Sequence, residues 1–594
     1  MPDPVVFEGC AGWFQPGQSK LGVVLCGPHG YEDLCVHRHW RALAQSLAAQ
    51  GIPSLRFDYL GAGDSAGDED LPALVPAWIG SIRQAMRVLR DRAGVTDIAL
   101  VGLRMGALLA AAAAAQEPVQ ALVLLAPIAS GEACFRELRA LAMMAVETRH
   151  RATATVSATG GLEAAGFVYS PETLAALRAI TLAPPRQKLA DQVLLLNRPG
   201  AAVDKDFAAR LAAAGATVTE AVFEDYTKLL RDADFSEYPA LGFGRAVSWL
   251  GELATPDAPL AETPAETPLL RLPDAEEAPV FYSHAPDLFG VFCAPVAAAA
   301  RPALLFLNTG ANRHIGTSRM TVTMARLFAT LGFASLRVDV GGVGESDAVP
   351  GRAYQHPANP DSVTDVTCAI DWLVGRGFAQ VIVVGLCSGG KLALETALRD
   401  RRVTGQILLN LQGYWKTSDP RDQYASRRTY LRLVRNPANW KLVLQGQVNG
   451  WGIAKSVALR SIAALYTEVA DIVGRLSGKP SQRRDSIAAF RGLAARGVRT
   501  HFIYVDEDPG MDELEPVFGR FGRRLAAVPG VSMTFLTEGN HVFSWAFSRR
   551  QLYAAVEQAL AHMTTPASAK PHVSRPAAPM PTARTADLQS TVLG

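Results

Sequence analysis

Hydrophobic residues along the first part of the chain fall into two alternating patterns. Short, largely apolar runs occupy 22–26, 53–57, 98–101 and 121–125, while between them 41–50, 79–90 and 105–116 place apolar residues at helical spacing. Continuous runs of this length predict strands covered on both faces, and the spaced stretches predict helices. Alternation of the two calls for a mostly parallel sheet with helices on both faces, an α/β fold.

The pattern occurs twice. At an offset of 281, residues 24–65 align with 305–346, and Asp58-Tyr59-Leu60-Gly61-Ala62-Gly63-Asp64-Ser65 matches Asp339-Val340-Gly341-Gly342-Val343-Gly344-Glu345-Ser346. A two-residue loop difference then moves the offset to 283, so Val101-Gly102-Leu103-Arg104-Met105-Gly106 matches Val384-Gly385-Leu386-Cys387-Ser388-Gly389. The expected organisation is a first copy over 1–254, a linker over 255–279, a second copy over 280–563 and a tail over 564–594. The linker is rich in Pro, Ala and Glu without strand or helix periodicity, and the tail has too few large apolar groups to offset its ordering entropy. An insertion over about 413–486, with helical stretches and many aromatics, is expected to form a cap over the second copy.

Composition narrows the function classes. A chain of 594 residues exceeds a single core. Its formal charge of +2 gives no reason to expect nucleic acid or an acidic membrane as partner. The longest apolar run, 98–115, is interrupted by Arg104, which costs ~2.5–3.5 kcal/mol at a bilayer centre, so no membrane span is expected. The N-terminus lacks a basic stretch followed by an apolar one, which predicts a cytoplasmic protein. Seven scattered cysteines without metal-ligand spacing fit a reducing compartment and no structural metal.

Glycines around a central residue, between an apolar strand and a helix, let the chain turn sharply and hold that residue exposed. Together with the Asp-x-x-Gly-x-Gly-x-Ser segment, this turn resembles the α/β-hydrolase superfamily in both copies. The second copy looks most like serine-aminopeptidase-type and exosortase-associated hydrolases, whose segment after the seventh strand resembles Tyr504-Val505-Asp506-Glu507-Asp508-Pro509-Gly510. The resemblance implies two α/β-hydrolase domains in tandem and a catalytic order of nucleophile, acid, histidine.

Residues in that order are present in the second copy. Cys387 stands at the nucleophile position. Asp508 matches the family's acid, with Asp506 as the fallback, and His541 follows the strand expected over 532–536 as the general base. Ser388 is the rival nucleophile, but centring the turn on it puts Leu386 in a small-residue slot and breaks register with Arg104. Its expected contribution is a backbone N–H to the oxyanion hole, with Gly310 and Ala311, in the loop after the third strand, as the further donors. His314 follows this loop, where a lone histidine is ordinarily solvated. His284, His356 and His501 are expected to be structural.

Cysteine at the turn favours an acyl-thioester intermediate, because a thiol is already a few per cent thiolate at neutral pH. The expected activity is acyl transfer or thioesterase/esterase-type hydrolysis without a cofactor. The donor is a small-molecule ester or a CoA or carrier-protein thioester, with an acyl acceptor in the transfer case. A carrier protein or a second copy of the chain remains open as a partner. Dienelactone-type lactone hydrolysis, in which cysteine also serves, and a non-catalytic scaffold are the alternatives. The first copy has arginine for nucleophile and Tyr226 or Thr227 where the histidine stands. Pro28 removes an N–H from its oxyanion turn, so it is expected to fold without turning over. Arg104 there is open to three readings: an anion site, a salt bridge to the neighbouring domain, or a filler.

Overall fold

The computed structural model describes residues 2–145, 160–182, 188–200, 206–255, 268–297, 300–352, 359, 361–414, 482–506, 508–564 and 573–574. Most of the expected cap, residues 256–267 of the expected linker, nearly all of the tail, His356 and Glu507 lie outside the described residues. Contacts divide the described chain into two compact units. One is formed from residues 1–403 with 542–550, and the other from 404–541 with 551–594.

The first unit contains the whole first copy. Strands β1 (Asp3–Phe7) and β2 (Cys10–Gln15) form an antiparallel hairpin. They are followed by β3 (Leu21–Cys26), β4 (Ser54–Phe57), β5 (Asp97–Leu103) and β6 (Val119–Leu125). A small hairpin of β7 (Leu162–Ala164) and β8 (Phe167–Tyr169) precedes β9 (Ala190–Asn197) and β10 (Thr217–Val222). The sheet runs β1-β2-β4-β3-β5-β6-β9-β10, and every pair from β4 onward is parallel. Parallel strands demand cover on both faces. The helix Leu74–Ala93 supplies it by burying Leu74, Trp78, Ile82, Ala85, Met86 and Leu89, spaced three or four apart. The alanine-rich helix Met105–Gln116 is buried on almost every side, and its small side chains let it lie close against the sheet.

The same unit holds the beginning of the second copy. It consists of β11 (Leu270–Arg271), β12 (Ala275–His284), β13 (Asp287–Pro295), β14 (Ala303–Phe306), β15 (Ser335–Val338) and β16 (Val381–Leu386). Here β13 pairs antiparallel with β15, as β2 does with β4, while β14 lies parallel to both β15 and β16. The second unit contributes β17 (Val403–Leu409), β18 (Arg499–Val505), β19 (Val531–Leu536) and β20 (Val573–Ser574), all parallel. Among the described residues no helix is long and apolar enough to cross a membrane.

Two elements depart from the sequence reading. The helix expected over 41–50 starts at Tyr31, because its first turns bury His39 and Arg41 as well as Cys35 and Val36. Strand β12 begins at Ala275, inside the segment read as linker. Its Glu277 is buried between Arg326 and Arg337, at 2.6 and 2.9 Å, so one member of an acidic stretch belongs to the interior.

Candidate active site

Strand β16 ends at Leu386 and the helix Ser388–Arg399 begins two residues later, leaving Cys387 alone to make the turn. Its backbone sits at φ 55°, ψ −117°, a region costing a side-chain-bearing residue about 1–3 kcal/mol. Arg104 adopts φ 57°, ψ −116° in the first copy. The turn is therefore kept by the architecture whether cysteine or arginine occupies it. Glycine is mandatory on either side: a Cβ on Gly385 would lie 2.2 Å from the Gly389 carbonyl oxygen, and one on Gly389 would lie 2.4 Å from that of Asn308. Cys387 is half-buried at the end of the helix where unpaired N–H groups stabilise an anion.

The other thiols live in different surroundings. Burial pushes Cys10 up to about 11 and Cys35, Cys134 and Cys293 to about 12, with nearby carboxylates adding to the effect. Cys26, fully enclosed, is raised further, and Cys368 is raised by burial with Asp365 and Asp371. All of them stay protonated at neutral pH.

Ser388 reaches the expected oxyanion turn through its side chain. The Gly310 N–H donates to Ser388 Oγ at 3.0 Å, and Thr309 Oγ1 donates to the Leu386 carbonyl at 3.3 Å. The Ala311 N–H donates to Asp234 Oδ1 of the first copy at 2.7 Å, a partner nothing in the sequence pattern foretold. Asn308 spans the turn, with its Nδ2 donating to Asn312 O and Asp339 Oδ1 and its Oδ1 accepting from the Val340 N–H.

In the second unit, Asp508 caps the helix Pro509–Phe518, its Oδ1 accepting from the Gly510 N–H at 2.7 Å. Its other oxygen, Oδ2, lies 2.6 Å from His541 Nδ1. A carboxylate only accepts, so Nδ1 carries the proton and Nε2 is the basic nitrogen of the neutral ring. Of the two acids considered, Asp508 is the one brought to His541. Asn410, at φ 41° just past β17, fixes this loop from below: its Nδ2 donates to the His541 carbonyl at 2.7 Å and its Oδ1 accepts from the Val505 N–H at 2.9 Å. The only trace of Asn410 in the sequence was its place at the end of an apolar run.

His314 corrects the expectation of a solvated loop residue. It is buried, its Nε2 2.6 Å from Asp64 Oδ2 and its Nδ1 2.7 Å from Asp339 Oδ2. Both nitrogens face acceptors, which makes the ring an imidazolium. Burial opposes that charge, but Asp64 and Asp339 outweigh it and push the pKa up to about 10. Because the folded value lies above the ordinary 6.5, this stabilisation is complete below pH 6.5 and is lost as pH rises through about 10. Asp64, held far below the ordinary carboxylate range by His314 and Arg337 despite its burial, loses its own contribution as pH falls below about 3.8. Thermal unfolding is expected to show a steeper decline between pH 7 and 10 in the native chain than in His314→Gln, and equal slopes would refute the assignment. His501 and His284 have ordinary structural roles, the first between Ser532 and Thr534, the second beside Asp287.

In the first copy the matching turn carries Arg104. Arg104 is buried and pairs with Glu32, Nε to Oε1 at 3.1 Å, and with Glu137, while its guanidinium lies 6.0 Å from the Tyr226 ring centre. All three partners belong to the first copy. Among the described residues the pairing observed for Arg104 is thus internal to the first copy. Tyr226, one of the two residues matched to His541, stands beside the residue aligned with Cys387.

Two family models match the chain: serine aminopeptidase, S33, over residues 18–194, and the alpha/beta hydrolase family over residues 304–556. The first stretch contains Arg104, and the second contains Cys387, Asp508 and His541. Similar solved structures include Est1E from Butyrivibrio proteoclasticus with ferulic acid bound, at 17% identity over 42% of this chain and 98% of that one, TM-score 0.31. The alpha/beta hydrolase GrgF from Penicillium sp. sh18 is 18% identical over 49% of this chain and 98% of its own, TM-score 0.30. A thermophilic esterase from Thermogutta terrifontis is 18% identical over 49% and 99%, TM-score 0.28. No curated protein matches the chain.

Proposed function

Because the chain carries two α/β-hydrolase domains in tandem, we propose that the second is an acyl-transfer enzyme working through an acyl-thioester on Cys387, and that the first is catalytically inert. The observation that carries this reading is the turn at Cys387. A half-buried thiol sits at a helix N-terminus in a strained backbone geometry, in a chain whose acid and histidine are already hydrogen-bonded to each other.

In this mechanism His541 Nε2 takes the thiol proton while Asp508 holds the ring and balances the imidazolium. The thiolate adds to the carbonyl carbon of an ester or thioester. The oxyanion is met by the Ser388 N–H and by the turn bearing Gly310 and Ala311, whose N–H groups must first release Ser388 Oγ and Asp234 Oδ1, and the leaving alcohol or thiol departs with the proton from His541. Water or an acceptor amine or alcohol then attacks the Cys387 acyl group with His541 as base, and the thiol is restored. No cofactor enters either half-reaction.

Thioester exchange at cysteine is close to thermoneutral, so a CoA or carrier-protein thioester is as suitable a donor as a small ester. Intact-protein mass spectrometry after incubation with a panel of acyl esters and acyl-CoAs tests the reading. The expected result is a mass increment equal to one acyl group, localised to Cys387 and cleared by water or an acceptor. An increment on any other residue, or none with any donor, overturns it.

A further inference from the structure

The two copies meet through repeated pieces of sequence. Arg56 of β4 pairs with Glu345, Nη1 to Oε1 at 2.7 Å, and Arg337 of β15, its counterpart at the 281 offset, pairs with Asp64 at 2.8 Å. Asp64 and Glu345 are themselves counterparts. The matching carbonyls are used alike, though by arginines that are not counterparts: Arg41 donates to those of Gly344 and Ser346, and Arg319 to those of Gly63 and Ser65. Equivalent patches facing each other are the mark of an isologous, two-fold interface, here closed within one chain.

The symmetry is broken at one end. The second copy sends Arg313 to Asp33 and Asp58, at 3.2 and 3.0 Å, and His314 to Asp64 at 2.6 Å. At the same offset the first copy has Glu32, which serves Arg104, and Asp33, which receives Arg313. Arg313 and His314 directly follow the turn 308–312. Beyond them Ser318 and Arg319 both lie in the left-handed region, at φ 46° and 60°, a strain that persists only where the surroundings impose it. The surroundings are the first copy's carbonyls on Arg319, including that of Gly67 at 2.6 Å. The segment after His541 in the chain is held from the same side: the Ala546 N–H donates to Glu163 at 2.7 Å and Arg549 pairs with Glu69 at 2.9 Å.

We propose that Asp64 and Asp58 of the inert copy are positioning residues for the second copy's acyl site, setting through His314 and Arg313 the turn that bears the oxyanion donors. The proposal rests on the acyl-transfer reading above. It gives the first copy a reason to have kept its glycine turn and its acids after losing its own site. The carboxylates touch no substrate; they fix the direction of N–H groups whose misplacement by about 1 Å costs on the order of 10²-fold in rate.

The near-symmetry provides the control. In the full chain, acylation of Cys387 by p-nitrophenyl acetate is followed by stopped flow and mass spectrometry for Asp64→Asn, Asp58→Asn and Arg56→Gln, with thermal unfolding of each. Asp64→Asn and Arg56→Gln remove equivalent ion pairs from the two ends of the interface, but only the first bears on the turn. Asp64→Asn is expected to lower the acylation rate constant by about 10²-fold. Arg56→Gln is expected to leave it within about threefold, even where the two lose similar stability. Asp58→Asn leaves Arg313 paired with Asp33 and gives a milder loss in a variant that stays folded. Asp64→Glu should restore part of the rate. Equal losses in Asp64→Asn and Arg56→Gln, or native rates in both Asp64→Asn and Asp58→Asn, overturn the proposal while leaving the nucleophile intact. Absence of acylation in the native chain removes the underlying reading, and this proposal with it.

Discussion

Cys387→Ala is expected to abolish acylation, a loss on the order of 10⁴-fold or more, while Arg104→Ala leaves the acylation rate unchanged. The two residues occupy one backbone conformation in two copies, φ 55° against 57°, so the comparison isolates side-chain chemistry from the turn itself. No other thiol can stand in for Cys387. Burial holds Cys10, Cys35, Cys134 and Cys293 at about 11 to 12, where the thiolate fraction at pH 7 is negligible. A thiol-directed acyl probe should therefore label a single site that disappears in Cys387→Ala and persists in Arg104→Ala. Arg104→Ala has its own expected cost, in stability, because it strips the buried partner from Glu32 and Glu137. Thermal unfolding registers that loss while the labelling does not. Full turnover in Cys387→Ala would sink the assignment, and Ser388 would then be the residue to test.

Much of the fold could be read along the chain wherever burial is apolar. The strands at β3 to β6 and the helix Met105–Gln116 follow directly from continuous and spaced apolar residues, and the repeat carries them to the second copy. What escaped was polar burial. The first ten residues of the helix Tyr31–Ala49, Glu277 near the start of β12 and the enclosure of His314 all place charged or imidazole side chains in the interior. A hydrophobic pattern scores each of these as solvated, since the groups that neutralise them lie far away in sequence: His314 meets Asp64 across 250 residues and Arg56 meets Glu345 across 289. The repeat itself held the missing signal. Arg56 with Arg337, and Asp64 with Glu345, recur at the same offset in segments that otherwise read as buried strand and glycine turn. An arginine kept in the middle of a buried strand in both copies requires a carboxylate, and the other copy offers one.

His541→Ala is expected to slow acylation by about 10³–10⁴-fold near neutral pH, and Asp508→Asn by a comparable factor. The geometry assigns the causes separately. With Nδ1 2.6 Å from Asp508 Oδ2, the carboxylate keeps the proton on Nδ1 and leaves Nε2 as the nitrogen that the proposed mechanism uses as base. An asparagine there can donate to Nδ1 and favour the opposite tautomer, with the ring in place but its basic nitrogen turned away from the task. Asp506→Asn supplies the remaining comparison. It is expected to retain the native rate, since Asp508 is the acid against His541, and a larger loss in Asp506→Asn than in Asp508→Asn would transfer the role to Asp506.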